Sequence, residues 1–289
     1  MTNDNALHTI AVVGATGQQG GAATRALLAY GYSVRALTRT VGSDAARELL
    51  DAGADVIVAD LEDVSSVRAA FDGATGVFAM TTMPQAGDAE SSAEAETRHG
   101  RTIADAAKGA GIAHLVYSSV GAAERGTGIP HFESKYRVEQ YIASIGQPAT
   151  IIRPVFFMEN LQAGFQEGRV VLALPLPDDI PMQMIATADI GRVAAAVMLD
   201  PAWIGRAVEI AGDTRTGSEM AAAFGRAVGL PADYLALPLS VLDGNDDMQA
   251  MFSWFAEPET YAADFAVTRE LSRELLDLED WVSASGWSA

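Results

Sequence analysis

Three glycines separated by two residues each restrict the fold of this chain more than any other feature. The segment VVGATGQQGGAATRALL places Gly14, Gly17 and Gly20 between a short apolar run and a segment with helical spacing. In such a turn the first glycine permits a tight bend, the second lets backbone approach a pyrophosphate, and the third lets the helix pack on the strand. A turn that opens the first strand–helix unit favours a dinucleotide-binding crevice over a glycine-rich turn that serves packing alone.

Strand-like and helix-like segments alternate along the first half of the chain. Short runs rich in Val and Ile are separated by helical patterns, and Ser43 and Gly53 bracket one of these helices. This order predicts an α/β fold, a Rossmann-type doubly wound parallel sheet with helices on both faces. The expected strands are LHTIAVVG, YSVRALTR, ADVIVADL, GVFAMTT, AHLVYSSV and PATIIRP.

The pattern changes after Pro154, where Pro, Phe and Met become frequent. The segments ADIGRVAAAVMLD and GRAVEIAG then return to the helix–strand pattern, and the remainder reads as helical. We therefore predict a dinucleotide-binding core and a smaller, mainly helical C-terminal substrate lobe. The core comprises residues 1–155, with 189–212 returning to it, and the lobe comprises 156–188 and 213–289.

Composition disfavours several classes of function. The formal net charge of −19 disfavours nucleic-acid and anionic-membrane partners, because phosphate repels such a surface. The chain has no cysteine and its four histidines show no metal-ligand spacing, so we expect no metal site. The N-terminus lacks a basic-then-apolar signal and no apolar run is long enough to span a bilayer, so we expect a cytoplasmic protein. These features leave the oligomeric state open.

The end of the second predicted strand indicates the type of dinucleotide. An NAD-binding chain usually carries an acidic residue there, which accepts a hydrogen bond from the ribose 2′-OH. VRALTRT has no acidic residue before Asp44, and Arg39 suits bidentate pairing with a 2′-phosphate. A solvated surface arginine is the alternative, but a cation here is more informative in so acidic a chain. We predict NADP(H) rather than NAD(H).

The motifs resemble those of the NmrA-like branch of the atypical short-chain dehydrogenase/reductases, over nearly the whole chain. The family includes reductases of quinones, dyes, isoflavones and related aromatic ethers, and also redox-sensing regulators that bind NADP(H). The resemblance does not identify a substrate. The matching motifs are VVGATGQQGG at 12–21, RALTR at 35–39, VADLED at 58–63, HFESKYRVEQYI at 131–142, IIRPVFFMENL at 151–161 and ATADIGRVAAAVM at 186–198.

The resemblance implies a set of residues that contact NADP(H). These are Gly14, Thr16, Gly17, Gln18, Gln19 and Gly20 at the pyrophosphate, Arg39 at the 2′-phosphate, Asp60 and Leu61 at the adenine, Thr81, Thr82 and Lys135 at the nicotinamide ribose, and Pro154, Phe156 and Phe157 at the nicotinamide ring, with Asn160 nearby. For Asp60, a turn or helix cap is an open alternative. For the two threonines the alternative is strand-end polarity, and for the two phenylalanines it is plain core.

The segment HFESK places His131 and Lys135 four residues apart, on one face of a predicted helix. Extended short-chain reductases carry Tyr-x-x-x-Lys there; the tyrosine donates a proton to the carbonyl oxygen and the lysine holds the ribose hydroxyls. Here His131 replaces the tyrosine. Both residues are catalytic candidates, with an anchoring role favoured for Lys135; an idle, surface His131 is the alternative. Ser119 is a third candidate, because the superfamily keeps a catalytic serine at the end of strand five; strand-end capping is its alternative.

The predicted function is NADPH-dependent reduction of a small hydrophobic carbonyl, quinone or conjugated compound. The alternative is a non-catalytic NADP(H)-sensing regulator of the NmrA type, which would bind a protein partner. An apolar pocket beside the nicotinamide would favour the enzyme, and a closed site with an exposed apolar patch elsewhere would favour the sensor. Candidate pocket residues, each with plain core as the alternative, are Phe156, Phe157, Met158, Met182, Met184, Met251, Trp254 and Phe255.

Overall fold

The computed structural model describes residues 8–83 and 90–288. Leu7, the first residue of the predicted strand LHTIAVVG, lies outside the described residues. The strands are β1 (Thr9–Val12), β2 (Ser33–Thr38), β3 (Asp55–Val58), β4 (Gly76–Met80), β5 (His114–Ser118), β6 (Ala149–Pro154), β7 (Phe156–Phe157), β8 (Ala163–Gln166), β9 (Arg169–Leu174), β10 (Met182–Ile185), β11 (Ala207–Ile210), β12 (Asp213–Arg215) and β13 (Ala232–Ala236). The α-helices are α1 (Gln18–Ala29), α2 (Asp44–Asp51), α3 (Val64–Phe71), α4 (Ser92–Gly109), α5 (Pro130–Ser144), α6 (Thr187–Leu199), α7 (Gly217–Val228), α8 (Asp246–Phe255), α9 (Phe265–Leu271) and α10 (Leu278–Ser285).

A seven-stranded parallel sheet forms the centre of the described part of the chain, in the order β3-β2-β1-β4-β5-β6-β11. The order reverses between β1 and β4, and the crevice beyond the carboxyl ends of two such strands is where open α/β sheets bind ligands. The predicted Rossmann-type fold is confirmed.

Both faces of the sheet are buried, as the strand β1 shows. Ile10 and Val12 belong to a core shared with α1 and α6, whereas Ala11 and Val13 belong to a core shared with α3, α4 and α5. Because successive side chains of a strand point to opposite faces, an all-apolar strand requires helices on both sides. The Val- and Ile-rich sequence of the strands therefore accounts for the three-layered core.

The helix α5 joins this core to the C-terminal region. Val138 and Ile142 are buried against the sheet, and Phe132, one helical turn from Lys135, is buried in a separate core with residues from α7, α8 and α10. Both candidate residues of the HFESK segment therefore lie on a helix that is fixed at the junction of two cores.

The C-terminal region contains the predicted helices and also two small sheets that the sequence patterns did not predict. Their orders are β12-β10-β7 and β13-β9-β8. Strands of two to six residues in segments rich in Pro and Met carry little periodicity, and β13 pairs with β9 across about sixty residues of chain. The pairing of β13 with β9 depends on tertiary contacts that the local sequence does not encode, whereas β8 and β9 form a hairpin across Glu167 and Gly168.

Two later segments contact the Rossmann core. The strand β11, which lies within the segment 189–212, pairs with β6 at the edge of the large sheet. Ala263, which the sequence reading assigned to the substrate lobe, is buried among residues of that same core, and Phe265 and Leu271 of α9 pack against it. No helix in the described ranges is both long and apolar enough to cross a membrane.

The contact between α4 and α5 leads to a test of how α5 is held. A Cβ at Gly100 would lie 2.2 Å from Cγ2 of Val138, which is fully buried and cannot move away. We expect Gly100→Ala to lower the free energy of unfolding by about 1–3 kcal/mol, because overpacking outweighs the better helix propensity of alanine. Urea unfolding measures the change.

Gly109→Ala, near the end of the same helix, is the matched control. A Cβ there meets nothing within 4 Å, so the substitution should leave stability unchanged or raise it slightly. Equal destabilisation by both substitutions would contradict the close-packing account.

Candidate functional site

Two adjoining cavities lie at the carboxyl ends of β1 and β4. One, of about 550 Å³, is bordered by the glycine turn and by the ends of β2 and β3. The other, of about 760 Å³, continues from it toward the C-terminal region. The residues that border both cavities are Gln18, Gln19, Met80, Thr82 and Phe157. Together the two cavities form one long crevice across the switch point of the sheet.

The glycine turn brings unpaired backbone N–H groups to this crevice. Gly14 adopts φ +66°, a left-handed conformation, and its carbonyl accepts the N–H of Gly17 at 2.9 Å. A Cβ at Gly20 would lie 2.2 Å from the carbonyl oxygen of Gly14, so only glycine lets α1 start this close to β1. Gly17 caps α1 without a side-chain acceptor, and the first turn has no acidic residue. The N–H groups and the helix dipole are therefore available to an anion.

Side chains brace this turn against neighbouring strands. Thr16 Oγ1 lies 3.4 Å from Thr38 Oγ1 at the end of β2. Ser118 at the end of β5 donates to Gln19 Oε1 at 2.7 Å, and both residues are buried. Gln18 is exposed at the mouth of the crevice.

Arg39 lies at the end of β2 and borders the smaller cavity. Its side chain is exposed and forms no ion pair with any residue in 8–83 or 90–288. A guanidinium without an acidic partner, in a chain of this net charge, leaves its full donor set to a ligand.

Asp60 and Leu61 border the same cavity, at the end of β3. Asp60 Oδ1 accepts the backbone N–H of Glu62 at 3.0 Å, so the turn alternative also describes this side chain.

His99 borders the cavity as well and was not predicted. Its Nε2 lies 2.6 Å from Glu62 Oε1, and hydrogen bonds from Arg98 and His99 lower the pKa of Glu62 to about 2.

A buried ion pair borders the larger cavity beside the end of β4, where Met80 and Thr82 border both cavities. Lys135 Nζ donates to Glu96 Oε1 and to the carbonyl oxygen of Thr81, each at 2.6 Å. Glu96 is fully buried, whereas the Lys135 side chain is 12% exposed and borders the larger cavity. Lys135 is therefore fixed by two close acceptors and by a longer contact of 3.5 Å to Thr81 Oγ1, and its ammonium still borders the cavity, where a ligand oxygen can accept from it.

Further hydroxyl groups saturate the Glu96 carboxylate. Thr81 Oγ1 donates to Oε1 at 3.0 Å and Ser134 donates to Oε2. Burial alone would raise the pKa of Glu96, but the charge of Lys135 and these hydrogen bonds lower the pKa below its usual value. Tyr117, 2.9 Å from Thr81 Oγ1, is a phenol whose pKa is raised well above 10 by burial and by the charge of Glu96. The Glu96 carboxylate is therefore ionised near neutral pH, and the Tyr117 phenol is not.

His131 borders the larger cavity and pairs with an acidic residue of the C-terminal region. Its Nδ1 lies 2.8 Å from Asp247 Oδ2, and its backbone N–H donates to Asp247 Oδ1 at 3.0 Å. The His131 side chain is 21% exposed, so the surface alternative does not describe it. Burial alone would raise the pKa of Asp247, but the hydrogen bonds and charge of His131 lower it.

Ser119, just beyond β5, also borders the larger cavity. The residue is 3% exposed, and its Oγ has no hydrogen-bond partner in the described ranges 8–83 and 90–288. Its neighbour Ser118 instead serves Gln19, as described above.

The larger cavity is mostly apolar. Among the predicted pocket residues, Phe156, Phe157 and Met251 border it, whereas Trp254 and Phe255 do not. Met158, Met182 and Met184 are buried in the lobe core, as the alternative interpretation allowed. Other apolar residues at this cavity are Met80, Val120, Pro154, Val155, Leu174, Pro175, Met248 and Phe252.

Comparisons with known proteins agree with this architecture. A family model described as the NmrA-like family matches residues 7–283. The chain is 32% identical to an NmrA-like family domain-containing oxidoreductase, FrzB, from Cladobotryum sp., over 91% of this chain and 90% of that protein. It is 31% identical to the nitrogen metabolite repression protein nmrA of Emericella nidulans, over 80% of this chain and 68% of that protein.

The chain belongs to the NmrA-like family. The resemblance drawn from the sequence motifs is thus confirmed. Among solved structures, NmrA, a negative transcriptional regulator, in complex with NADP is 25% identical, with a TM-score of 0.79 over 97% of this chain and 98% of that one.

The sequence patterns did not predict two acidic residues of this site, Glu96 and Asp247. The helix α4 contains a buried stripe of Gly100, Ile103 and Ala107, and extending that stripe back by one turn reaches Glu96. The sequence therefore held a signal for a buried glutamate. Asp247 contacts His131 across 116 residues, and no local pattern indicates that pairing.

The ion pair Glu96–Lys135 gives a stability prediction. We expect Glu96→Gln to lower the free energy of unfolding by about 3–5 kcal/mol, because it leaves a largely buried ammonium without its counter-charge. The double variant Glu96→Gln/Lys135→Met should be more stable than the sum of the single effects predicts, by at least about 1 kcal/mol. Urea unfolding of the four proteins measures this coupling.

A matched control is Glu48→Gln, which breaks the exposed pair Arg25–Glu48 and should change stability little. Folding lowers the pKa of Glu96. The contribution of its charge to the free energy of unfolding is therefore complete above pH 4.5, the ordinary pKa, and is lost as the pH falls through the pKa of the folded state. Additive effects in the double variant would refute the pairing as a source of stability.

Proposed function

We propose that this chain is an NADPH-dependent reductase of a small hydrophobic carbonyl, quinone or conjugated compound. The observation that carries the proposal is the apolar cavity of about 760 Å³, which continues the glycine-lined crevice and is bordered by His131 and Lys135. Such a cavity holds a flat apolar ligand next to a donor and a fixed cation. The similarity to NmrA-like family domain-containing oxidoreductases also supports it.

The residues present fit a dinucleotide with a 2′-phosphate. A Cβ at Gly20 would fill the space where α1 begins. No acidic residue in the first turn of α1 competes with a phosphate for its free N–H groups. Arg39 lies at the end of β2, where a 2′-phosphate is recognised, and no acidic residue of the described chain pairs with it. NmrA has been solved in complex with NADP and with NAD, so the family alone does not decide between them. Arg39 supports NADP(H).

In the proposed mechanism the residues of this chain bind, orient and move one proton. Bound NADPH supplies a hydride. The ammonium of Lys135, paired with Glu96, donates a hydrogen bond to the nicotinamide ribose in place of its longer contact to Thr81 Oγ1. His131 donates the proton that balances the hydride, so that a C=O group becomes CH–OH. Apolar residues such as Phe156 and Phe252 exclude water from the cavity.

Lys135 is not the proton donor in this mechanism. Its ammonium contacts a buried, ionised carboxylate, and transferring its proton would leave Glu96 buried without a counter-charge. The anchoring role favoured from the sequence is therefore retained, and His131 carries the acid role.

A second candidate is a non-catalytic NADP(H) sensor that binds a protein partner. The observation in its favour is the similarity to NmrA, a negative transcriptional regulator, over 97% of this chain. Both candidates use the same dinucleotide site, so turnover distinguishes them and binding does not.

The preference for NADPH tests the role of Arg39. We expect isothermal titration calorimetry to give tighter binding of NADPH than of NADH, and Arg39→Ala to weaken NADPH binding by at least about 30-fold, because a charged partner of the 2′-phosphate is lost (about 2 kcal/mol). Arg47→Ala, an exposed arginine of α2 paired with Asp44, is the control and should leave both affinities unchanged. Equal affinity of the wild type for NADPH and NADH would contradict the assignment of NADP(H) as the cofactor.

Turnover tests the proposal itself. NADPH oxidation followed at 340 nm over a panel of quinones, aldehydes, enones and dyes should show activity with at least one class. His131→Ala should then lower kcat by about 10²-fold or more while NADPH affinity is kept, the signature of an interaction made in the transition state. Lys135→Met should instead weaken NADPH binding. Tight NADPH binding without turnover across the panel would favour the sensor.

A further inference from the structure

We propose that Asp247 is a positioning residue for His131. It holds a proton on Nδ1 in both charge states of the imidazole, so that the proton given to the ligand is the one that Nε2 carries in the imidazolium, and the ring left after the transfer is the neutral Nδ1–H form. The proposal rests on the proposed function, in which His131 is the proton donor. It adds a residue from the C-terminal region to a site otherwise built on the Rossmann core.

The geometry between the two side chains fixes the ring. Asp247 Oδ1 and Oδ2 lie 2.9 and 2.8 Å from Nδ1 of His131. An ionised carboxylate only accepts hydrogen bonds, so Nδ1 must be the donor and the neutral ring must leave Nε2 unprotonated. The ring of Phe132, fully buried, lies edge-on to the imidazole at 4.7 Å and limits its rotation.

The same carboxylate also caps the helix that carries His131. The N-cap residue of α5, Ile129, has no side chain that can accept a hydrogen bond, and Asp247 accepts the backbone N–H of His131 at 3.0 Å. Asp247 itself lies in the first turn of α8. Its negative charge is thus stabilised by the N-termini of two helices.

The helix α8, which carries Asp247, also borders the cavity proposed to hold the substrate. Met248, Met251 and Phe252 of α8 border that cavity, and the first of them directly follows Asp247 in sequence. The contact that orients His131 is therefore made by the same helix that closes the apolar side of the pocket.

Other charged groups at the cavity do not compete for the ring. Lys135 is bonded to Glu96. Glu159 Oε1 accepts hydrogen bonds from Thr187 and Trp281, and Glu159 Oε2 has no hydrogen-bond partner, His131 included, in the described ranges. In the described ranges, Asp247 is the acidic partner of His131, and the positive charge of Lys135 helps keep it ionised.

The tautomer of His131 tests the proposal without substrate or cofactor. The protein has four histidines, so ¹H–¹⁵N long-range correlation spectra of uniformly ¹⁵N-labelled protein at about pH 8.5, where an ordinary histidine is neutral, resolve each ring. His131→Gln assigns the signal. We expect the Nδ1–H form for His131 in the wild type, the less common tautomer of free histidine.

Asp247→Asn separates orientation from capping. The amide oxygen takes the place of Oδ1 and keeps the hydrogen bond to the backbone N–H of His131. The amide nitrogen takes the place of Oδ2, the oxygen closer to Nδ1 at 2.8 Å, where a protonated Nδ1 would face another donor. We therefore expect the ring to switch to the Nε2–H form, with unfolding stability nearly kept, and kcat to fall about 10-fold or more with unchanged NADPH affinity. Asp246→Asn, the neighbouring residue of the same helix turn, should change neither signal.

The outcomes are distinct from those of the proposed function. An Nε2–H ring in the wild type, or a spectrum unchanged by Asp247→Asn, would overturn the positioning role whether or not the protein turns over. If Asp247→Asn does not fold, the wild-type tautomer alone still decides. An Nδ1–H ring in the wild type that changes to the Nε2–H form in Asp247→Asn supports the positioning role, even if no compound of the substrate panel is reduced.

Discussion

The buried pair of Glu96 and Lys135 is the interaction on which the arrangement of the site depends. It joins α4, α5 and the end of β4 beside the larger cavity. A carboxylate with no exposed surface is tolerable only because Lys135, Thr81 and Ser134 all donate to it. The same contacts fix the lysine ammonium, so one polar network sets both the packing of α5 and the position of the only lysine at the crevice.

The fold divides the chemistry between two cores. The glycine turn, Arg39 and Lys135 belong to the Rossmann part and supply the contacts expected of a dinucleotide site. The apolar side of the larger cavity comes from α8 and the small sheets. His131 lies on the helix between the two, with Asp247 reaching it from α8. Such a division allows the substrate side to vary within a family while the dinucleotide side stays the same.

Much of this architecture was predictable because it depends on local rules. The parallel sheet followed from strands buried on both faces, and the crevice followed from Gly14, Gly17 and Gly20, whose roles are set by the tight turn itself. Arg39 and Lys135 were found from their places at a strand end and on a helix face. The comparison with known proteins confirms the family and the fold; the roles of individual residues stay predictions.

The parts that escaped prediction depend on contacts between distant segments. Asp247 meets His131, and β13 meets β9, only after the chain has folded, and neither partner carries a local pattern that identifies the other. Glu96 resembled a solvated residue in a helix with many charges, and only the buried stripe that continues through Gly100 marks it as internal. Short strands such as those of the β8–β9 hairpin, which are adjacent in sequence, were missed because they carry little periodicity.

A crystal structure of the protein with NADP⁺ tests the central claim most directly. The account predicts the pyrophosphate at the N-terminus of α1, the 2′-phosphate on Arg39, the nicotinamide ribose within hydrogen-bond distance of Lys135 Nζ, and one face of the nicotinamide open to the apolar cavity beside His131. A complex in which Lys135 does not contact the ribose, or in which the nicotinamide faces away from that cavity, would contradict it.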